Sequence, residues 1–353
     1  MKKLITVLTA SLLMLFALAG CADTGSTATS GTEGTVTQCA TAGTEPTPTV
    51  PYEQRTQVRI GVLNGPTGMG ASKLMKDNQE KTTANQYTFE QYSAPTEIMP
   101  LLIKGELDIA ALPTNVAATV YNKTEGGVKL LALNTLGVLY VVSKDEGINS
   151  VADLNGKTVY ISGQGSTPEY AMDYILKQNG LEAGSDVKLE FVSDHASLVA
   201  MCAAGQADTV VLPEPFVSTL LSKELGYKRS IDLNEAWDKA CEGSSIFSMG
   251  CLVVRSEFAD QNPQAVSDFL AEYARSVDFV NSNTKDAAEI IASFKIVGEA
   301  ALAEKAIPNC NIVCISGQDM SEKTDAYLRL LFEYNPAAVG GSVPGEDFYY
   351  VEK

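Results

Sequence analysis

The sequence predicts an α/β protein of two lobes, each carrying a mostly parallel sheet, joined by a pair of crossing strands. Three observations predict it. Residues 105–113 (Gly-Glu-Leu-Asp-Ile-Ala-Ala-Leu-Pro) return as residues 205–213 (Gly-Gln-Ala-Asp-Thr-Val-Val-Leu-Pro). The same offset of 100 pairs Gly65-Pro66-Thr67 with Gly165-Ser166-Thr167, Ala71 with Ala171 and Ser93 with Ser193, so one supersecondary unit occurs twice. Within each copy short apolar runs alternate with helical periodicity, which implies parallel strands covered on both faces by right-handed crossovers. Finally, two Gly-containing apolar strands, 136–142 and 249–254, flank the second copy and carry the chain out to it and back, the arrangement of a hinge.

In chain order, Lys2 and Lys3 precede an apolar run over residues 4–19 that closes on Leu18-Ala19-Gly20-Cys21. This resembles a bacterial lipoprotein signal, cut before a Cys that then receives the lipid; residues 1–20 are expected to be removed and Cys21 lipidated. Residues 21–56, dominated by Thr, Gly, Ser and Pro, bury too little to offset the entropy of ordering and read as a flexible tether. A strand at 58–63 runs into the turn Asn64-Gly65-Pro66-Thr67-Gly68 and a helix through Ala71, Leu74 and Met75. A strand at 87–92, a helix opened by Thr96 and closed by Gly105, a strand at 107–112 and a helix after Pro113 complete the first copy. The second repeats the plan: strand 158–162, turn, helix 169–178, strand 188–192, helix 197–204, strand 207–212, then Pro213-Glu214-Pro215 and a helix. The rest is helical at 263–280, 284–294, 298–306 and 319–334, with a short strand at 311–315; Asn262-Pro263 opens the first of these as N-cap and N1. Lobe one is thus expected to comprise 57–138 plus 250–353, and lobe two 139–249.

Composition narrows the function. The net charge of −17 becomes −19 when Lys2 and Lys3 leave, and Arg occurs six times, so nucleic acid is excluded as a partner. Six cysteines follow Cys21, and Cys310 with Cys314 or Cys241 with Cys251 are candidate bridges. With one histidine and no Cys-x-x-Cys pairs, no metal site is expected, and nothing calls for a cofactor.

Ligands of open parallel sheets sit beyond the carboxyl ends of the strands, where helix N-termini present free N–H groups. Lobe one then offers Asn64, Gly65, Pro66, Thr67 and Gly68, then Tyr92 and Ser93, then Thr114 and Asn115. Lobe two offers Gln164, Gly165, Ser166 and Thr167, then His195 beside Ser193 and Asp194, then Glu214. These side chains suit a small polar solute. Thr67, Thr114 and Thr167 are read first as N-caps, whereas Glu214, between two prolines, is expected to receive a donor from the solute. Asp108 and Asp208 precede their strands and are read as structural.

The signal box, the tether, the two lobes and the phrases Leu-Asp-Ile-Ala-Ala-Leu-Pro-Thr-Asn and Ala-Asp-Thr-Val-Val-Leu-Pro-Glu-Pro resemble, in that order along the chain, the nitrate, sulfonate and taurine group of ABC-transporter solute-binding proteins; so does Ser150-Val151-Ala152-Asp153-Leu154-Asn155-Gly156-Lys157. The resemblance implies a type II periplasmic-binding-protein fold that captures a small polar organic solute such as a sulfonate or pyrimidine. It also implies partners in an ABC permease and a separate ATPase, and a lipid-anchored position on the membrane facing outside the cytoplasm. The chain itself has no Gly-x-x-x-x-Gly-Lys-Ser/Thr loop. The alternative is an enzyme on the same fold, acting on a small organic acid with Glu214 or His195 as acid or base. A dinucleotide site is excluded by Gly-Pro-Thr-Gly-Met-Gly, which lacks the G-x-G-x-x-G spacing.

Overall fold

The structure, a computed structural model, describes residues 50–351. The expected signal peptide, Cys21, Cys39 and the tether up to residue 49 lie outside the described residues. From Tyr52 the chain is already pinned: a single 3-10 turn, Tyr52–Gln54, places the Tyr52 hydroxyl 2.6 Å from Asn78 Oδ1, and Arg55 donates to the carbonyls of Val50, Lys81 and Thr83. The final residues assigned to the tether are therefore held by side-chain hydrogen bonds that composition does not reveal. Among the described residues no helix is long and apolar enough to cross a membrane.

The elements run β1 (Gln57–Leu63), α1 (Pro66–Met69), α2 (Ser72–Gln79), β2 (Gln86–Tyr92), α3 (Pro95–Ile103), β3 (Ile109–Leu112), α4 (Thr114–Lys123), β4 (Val128–Leu136), β5 (Leu139–Ser143), β6 (Thr158–Ser162), α5 (Thr167–Gln178) and β7 (Lys188–Val192). There follow α6 (His195–Ala203), β8 (Thr209–Pro213), α7 (Phe216–Leu221), β9 (Lys228–Asp232), α8 (Leu233–Ala240), β10 (Ser248–Arg255), α9 (Ser256–Gln261), α10 (Pro263–Ser282), α11 (Thr284–Ser293), α12 (Ala300–Ala306), β11 (Ile312–Ile315) and α13 (Gly317–Tyr334). Two sheets result, ordered β2-β1-β3-β10-β4-β11 and β7-β6-β8-β5-β9. In each, a central strand pairs in parallel with two neighbours, and a strand arriving from beside the other sheet enters antiparallel: β10 against β3 and β4, β5 against β8 and β9. The repeat legible at an offset of 100 is thus a repeat of topology.

The local geometry repeats as well. Gly105 and Gly205 both end helices in the left-handed region, at φ of 75° and 70°. Each donates its N–H over 3.1 Å, Gly105 to the Leu102 carbonyl and Gly205 to the Cys202 carbonyl. A side chain there would strain the backbone, which is why glycine stands at both. Three residues on, the copies part. Asp108 is buried and accepts from Arg59 Nε at 2.8 Å and Nη2 at 2.6 Å, and from Arg255 Nη2 at 3.2 Å, tying together β1, β3 and β10. Asp208 is exposed.

The crossings lie side by side. Leu136 at the end of β4 pairs with Ser248 at the start of β10, and Gly137 sits so close to its neighbours that a Cβ there would stand 2.5 Å from the Phe247 ring. The expected single crossing strand at 136–142 is two strands, broken at Gly137, where Asn234 Oδ1 and the Asn311 amide take the backbone hydrogen bonds that a continuous strand would use. Strands β4 and β9 and helices α8 and α9 were not expected from the sequence.

Apolar residues form one core on the α2 and α10 face of the first sheet, another on the α6 and α7 face of the second, and a third running from the α3, α4 and α13 face of the first sheet into the α5 and α8 side of the second. Trp237 of α8 is central to the third. It stacks on Phe247 at 5.0 Å and meets Tyr174 of α5 and Tyr327 of α13 at 4.7 and 5.7 Å. Helix α13 therefore straps the two sheets together; Tyr334 stacks on Tyr170, and Asn335 donates to the Tyr170 hydroxyl.

Cys202, Cys241, Cys251 and Cys310 are free and buried, whereas Cys314 is disulfide-bonded. Neither anticipated bridge, Cys310 to Cys314 nor Cys241 to Cys251, exists. Cys241 closes α8 with its thiol toward the carbonyls of Asp238 and Ser245, and Cys251 lies mid-strand in β10.

Candidate functional site

The carboxyl ends of β1, β2 and β3 lead into α1, α3 and α4, and those of β6, β7 and β8 into α5, α6 and α7, so the residues expected to meet a ligand stand at helix N-termini. At the first rim Gly65 takes φ of 89° and donates its N–H to the Ile296 carbonyl, 3.2 Å away. Gly68 is glycine for a different reason: a Cβ there would lie 2.2 Å from the Leu63 carbonyl oxygen. Asn64 is exposed; Pro66 and Thr67 are half-buried. The Thr67 carbonyl accepts from Asn134 Nδ2 of β4 at 3.1 Å. Tyr92 turns its hydroxyl to Glu90, and the Ser93 amide is taken by Glu97 at 2.9 Å. Thr114 is buried, with its hydroxyl 2.6 Å from that of Ser248, and Asn115 donates to the Ala338 carbonyl.

At the second rim Gln164 and Gly165 are exposed, and the Gly165 amide donates to Glu169. Ser166 turns its hydroxyl to the Gly163 carbonyl. Thr167 reaches Tyr327 of α13; burial pushes that phenol up, and the Thr167 hydroxyl opposes the shift. His195, half-buried at the first turn of α6, has Nδ1 2.5 Å from Ser162 Oγ and its ring against Phe216 at 5.2 Å. Burial lowers its pKa and Asp194 partly restores it. A depressed folded value means that the neutral imidazole favours the fold: this contribution is complete above the unfolded value of about 6.5 and is lost as pH falls through the folded one. The single histidine resonance is expected to titrate below 6.5 in an NMR series, and His195→Gln to flatten the decline in stability between pH 7 and 5. A titration above 6.5 would contradict this.

Glu214 departs from its expected role. Its side chain is fully buried and pairs with Arg229 of β9, and its other oxygen accepts from the Ser218 amide at 3.1 Å. Arg229 also meets Ser218 Oγ at 3.2 Å and lies over the Tyr140 ring, while the Tyr140 hydroxyl donates to the Asn309 carbonyl. The carboxylate expected to face a solute is thus already satisfied within the chain. The sequence reading also missed Asn134, Ser248, Phe216 and Tyr327.

Cavities of about 490 and 430 Å³ lie elsewhere, one along Leu131, Leu270, Gln318, Ser321 and Tyr349, the other between α2 and α11; neither is lined by any of the anticipated ligand residues. Among the described residues no cluster of three or more His, Cys, Asp or Glu is placed to hold a metal ion.

A model of the NMT1-like family matches residues 53–295. A binding protein of Brucella abortus is 23% identical over 261 residues, 73% of this chain and 78% of that protein. Among solved structures, an ABC transporter of Parabacteroides distasonis superposes with a TM-score of 0.72 at 26% identity, covering 84% of this chain and 100% of the other. The periplasmic aliphatic sulphonate binding protein SsuA of Escherichia coli does so at 0.67 and 15% identity, covering 84% and 92%. The fold is that of the type II periplasmic binding proteins, two sheets of like order joined by crossing strands.

Proposed function

The chain belongs to the NMT1-like family, and from that premise we propose that it is the solute-binding component of an ABC importer, holding a small polar organic solute between lobe one (57–138 plus 250–353) and lobe two (139–249). The observation that carries this reading is the doubled sheet order with its paired crossings at Leu136 and Ser248. Two rims of helix N-termini on two sheets, linked by the crossing strands and strapped by α13, form a device suited to closing on a ligand. A permease and a separate ATPase complete the transporter, and lipid on Cys21 would hold the protein outside the cytoplasm. Candidate contacts at the rims are Asn64, Gly65, Thr67, Gln164, Gly165, Thr167 and His195. The Glu214 carboxylate is committed to Arg229 and Ser218 and is not free to serve as the acid or base of the enzymatic alternative.

Trp237, the sole tryptophan, touches Phe247 and Tyr327 where the two sheets meet, which makes its emission a reporter of lobe movement. Adding the solute released from natively purified protein is expected to shift that emission saturably, with the dissociation constant found by calorimetry. Calorimetric binding with unchanged emission would refute closure, and the absence of any bound or binding solute would refute the assignment.

A further inference from the structure

Cys314 is in a disulfide, and its partner follows by elimination. The chain has seven cysteines, of which Cys202, Cys241, Cys251 and Cys310 are free thiols. Two sulfurs are left for Cys314, those of Cys21 and Cys39. A Cys21 that carries lipid has no thiol to oxidise, so Cys39 remains.

The place of Cys314 suits a partner distant in sequence. Strand β11 closes one edge of the first sheet and, among the described strands, pairs with β4 alone. Cys314 shares the α10 side of β11 with Ile312 and is 5% exposed there. Reach is sufficient. The eleven residues from Cys39 to Val50 span at most roughly 36–40 Å when extended. Arg55 is held to the carbonyls of Lys81 and Thr83 on the approach to β2, and from β2 to β11 there are five strand spacings, about 24 Å.

Building on the reading of a lipid-anchored binding protein, we propose that Cys39 is joined to Cys314, stapling the lipid-bearing segment to β11 of lobe one. Residues 22–38 alone then lie between the lipid and the body, and the anchor enters at β11 rather than at Tyr52. The bond forms by exchange with an oxidised dithiol carrier outside the cytoplasm: the two thiols yield two electrons and two protons, and the carrier leaves as its dithiol. The four free thiols are buried in the folded body, which keeps them out of that exchange.

The test uses the full chain purified from membranes in detergent, unfolded and alkylated with and without reductant. Four thiols are expected to react without reductant and six with it. Trypsin is expected to leave residues 21–55, which contain no Lys or Arg before Arg55, linked to residues 306–323, with fragmentation placing the bond on Cys314 and not on Cys310. A protease site inserted between Pro46 and Pro48 gives a second readout. Cutting it should leave the body on the membrane until reductant is added, whereas Cys39→Ser or Cys314→Ser should release it at once. Six reactive thiols without reductant, a bond from Cys314 to any other cysteine, or release of the cut wild type without reductant overturns the inference. A bond to Cys21 overturns the lipid reading as well. If the uncut protein is absent from membranes, the lipid reading fails alone, and peptide mapping of the soluble protein still decides the bond.

Discussion

Asp108→Ala is expected to destabilise the protein by about 3–5 kcal/mol, the usual cost of removing one member of a buried ion-pair cluster. Only 3% of the Asp108 side chain is exposed, and it accepts from both Arg59 and Arg255. Arg59, 43% exposed, can rehydrate, whereas Arg255, at 19%, keeps only the exposed Glu257 carboxylate at 3.0 Å, so most of the loss arises there. Asp208→Ala alters the matching position of the other repeat, which is exposed, and should fall within about 0.5 kcal/mol of the wild type. Urea denaturation of both variants checks the contrast, and equal losses would contradict it. Acid sharpens the test. Burial works to raise the Asp108 carboxyl, but hydrogen bonds from Arg59 and Arg255 outweigh it and hold the group below the ordinary range. A depressed folded value gives stability that is present above the unfolded value of about 3.9 and lost as pH falls through the folded one. The variant should therefore lose less than the wild type on acidification below pH 4.

Glu214→Ala is expected to cost a similar amount, about 3 kcal/mol, because it strands Arg229 against Tyr140 and frees the Ser218 amide. The effect belongs to folding. Replacing both partners by leucine should recover much of the loss, since apolar groups of similar volume spare both desolvation penalties. A double-mutant cycle on unfolding free energies measures the coupling; additive losses would show that the pair contributes nothing of its own.

Glu214 also marks where sequence reading ends. Its position at a strand end between two prolines was legible, and so was the turn chemistry of Gly65, Gly105, Gly165 and Gly205, because backbone conformation is a local matter that leaves its residue types in order along the chain. Its partner was not. Arg229 sits in Lys-Arg-Ser-Ile-Asp, a strand with too few apolar residues to show a period, and the ion pair joins elements whose adjacency exists only once β5 separates β8 from β9. Asn134 escaped for a related reason. Strand β4 was not expected as an element, so a polar side chain within it had no assigned face. Asp108 and Asp208 occupy the same place in the repeat, yet only one found arginines, since the second copy carries none at the matching positions. Fold class followed from patterns within each repeat, whereas the charge balance of the rims depends on side chains that meet across elements.

The antiparallel pairing of β4 with β10 has an architectural consequence. Were residues 137–247 replaced by a short turn, those strands would form an ordinary β-hairpin, and the first sheet would keep its strand order. The second sheet is therefore a guest spliced into the tip of a hairpin. The host's register is fixed from Val128 to Leu136 whatever its passenger does, and exchange of one passenger for another would alter what is captured while leaving the host's own ladder of hydrogen bonds intact.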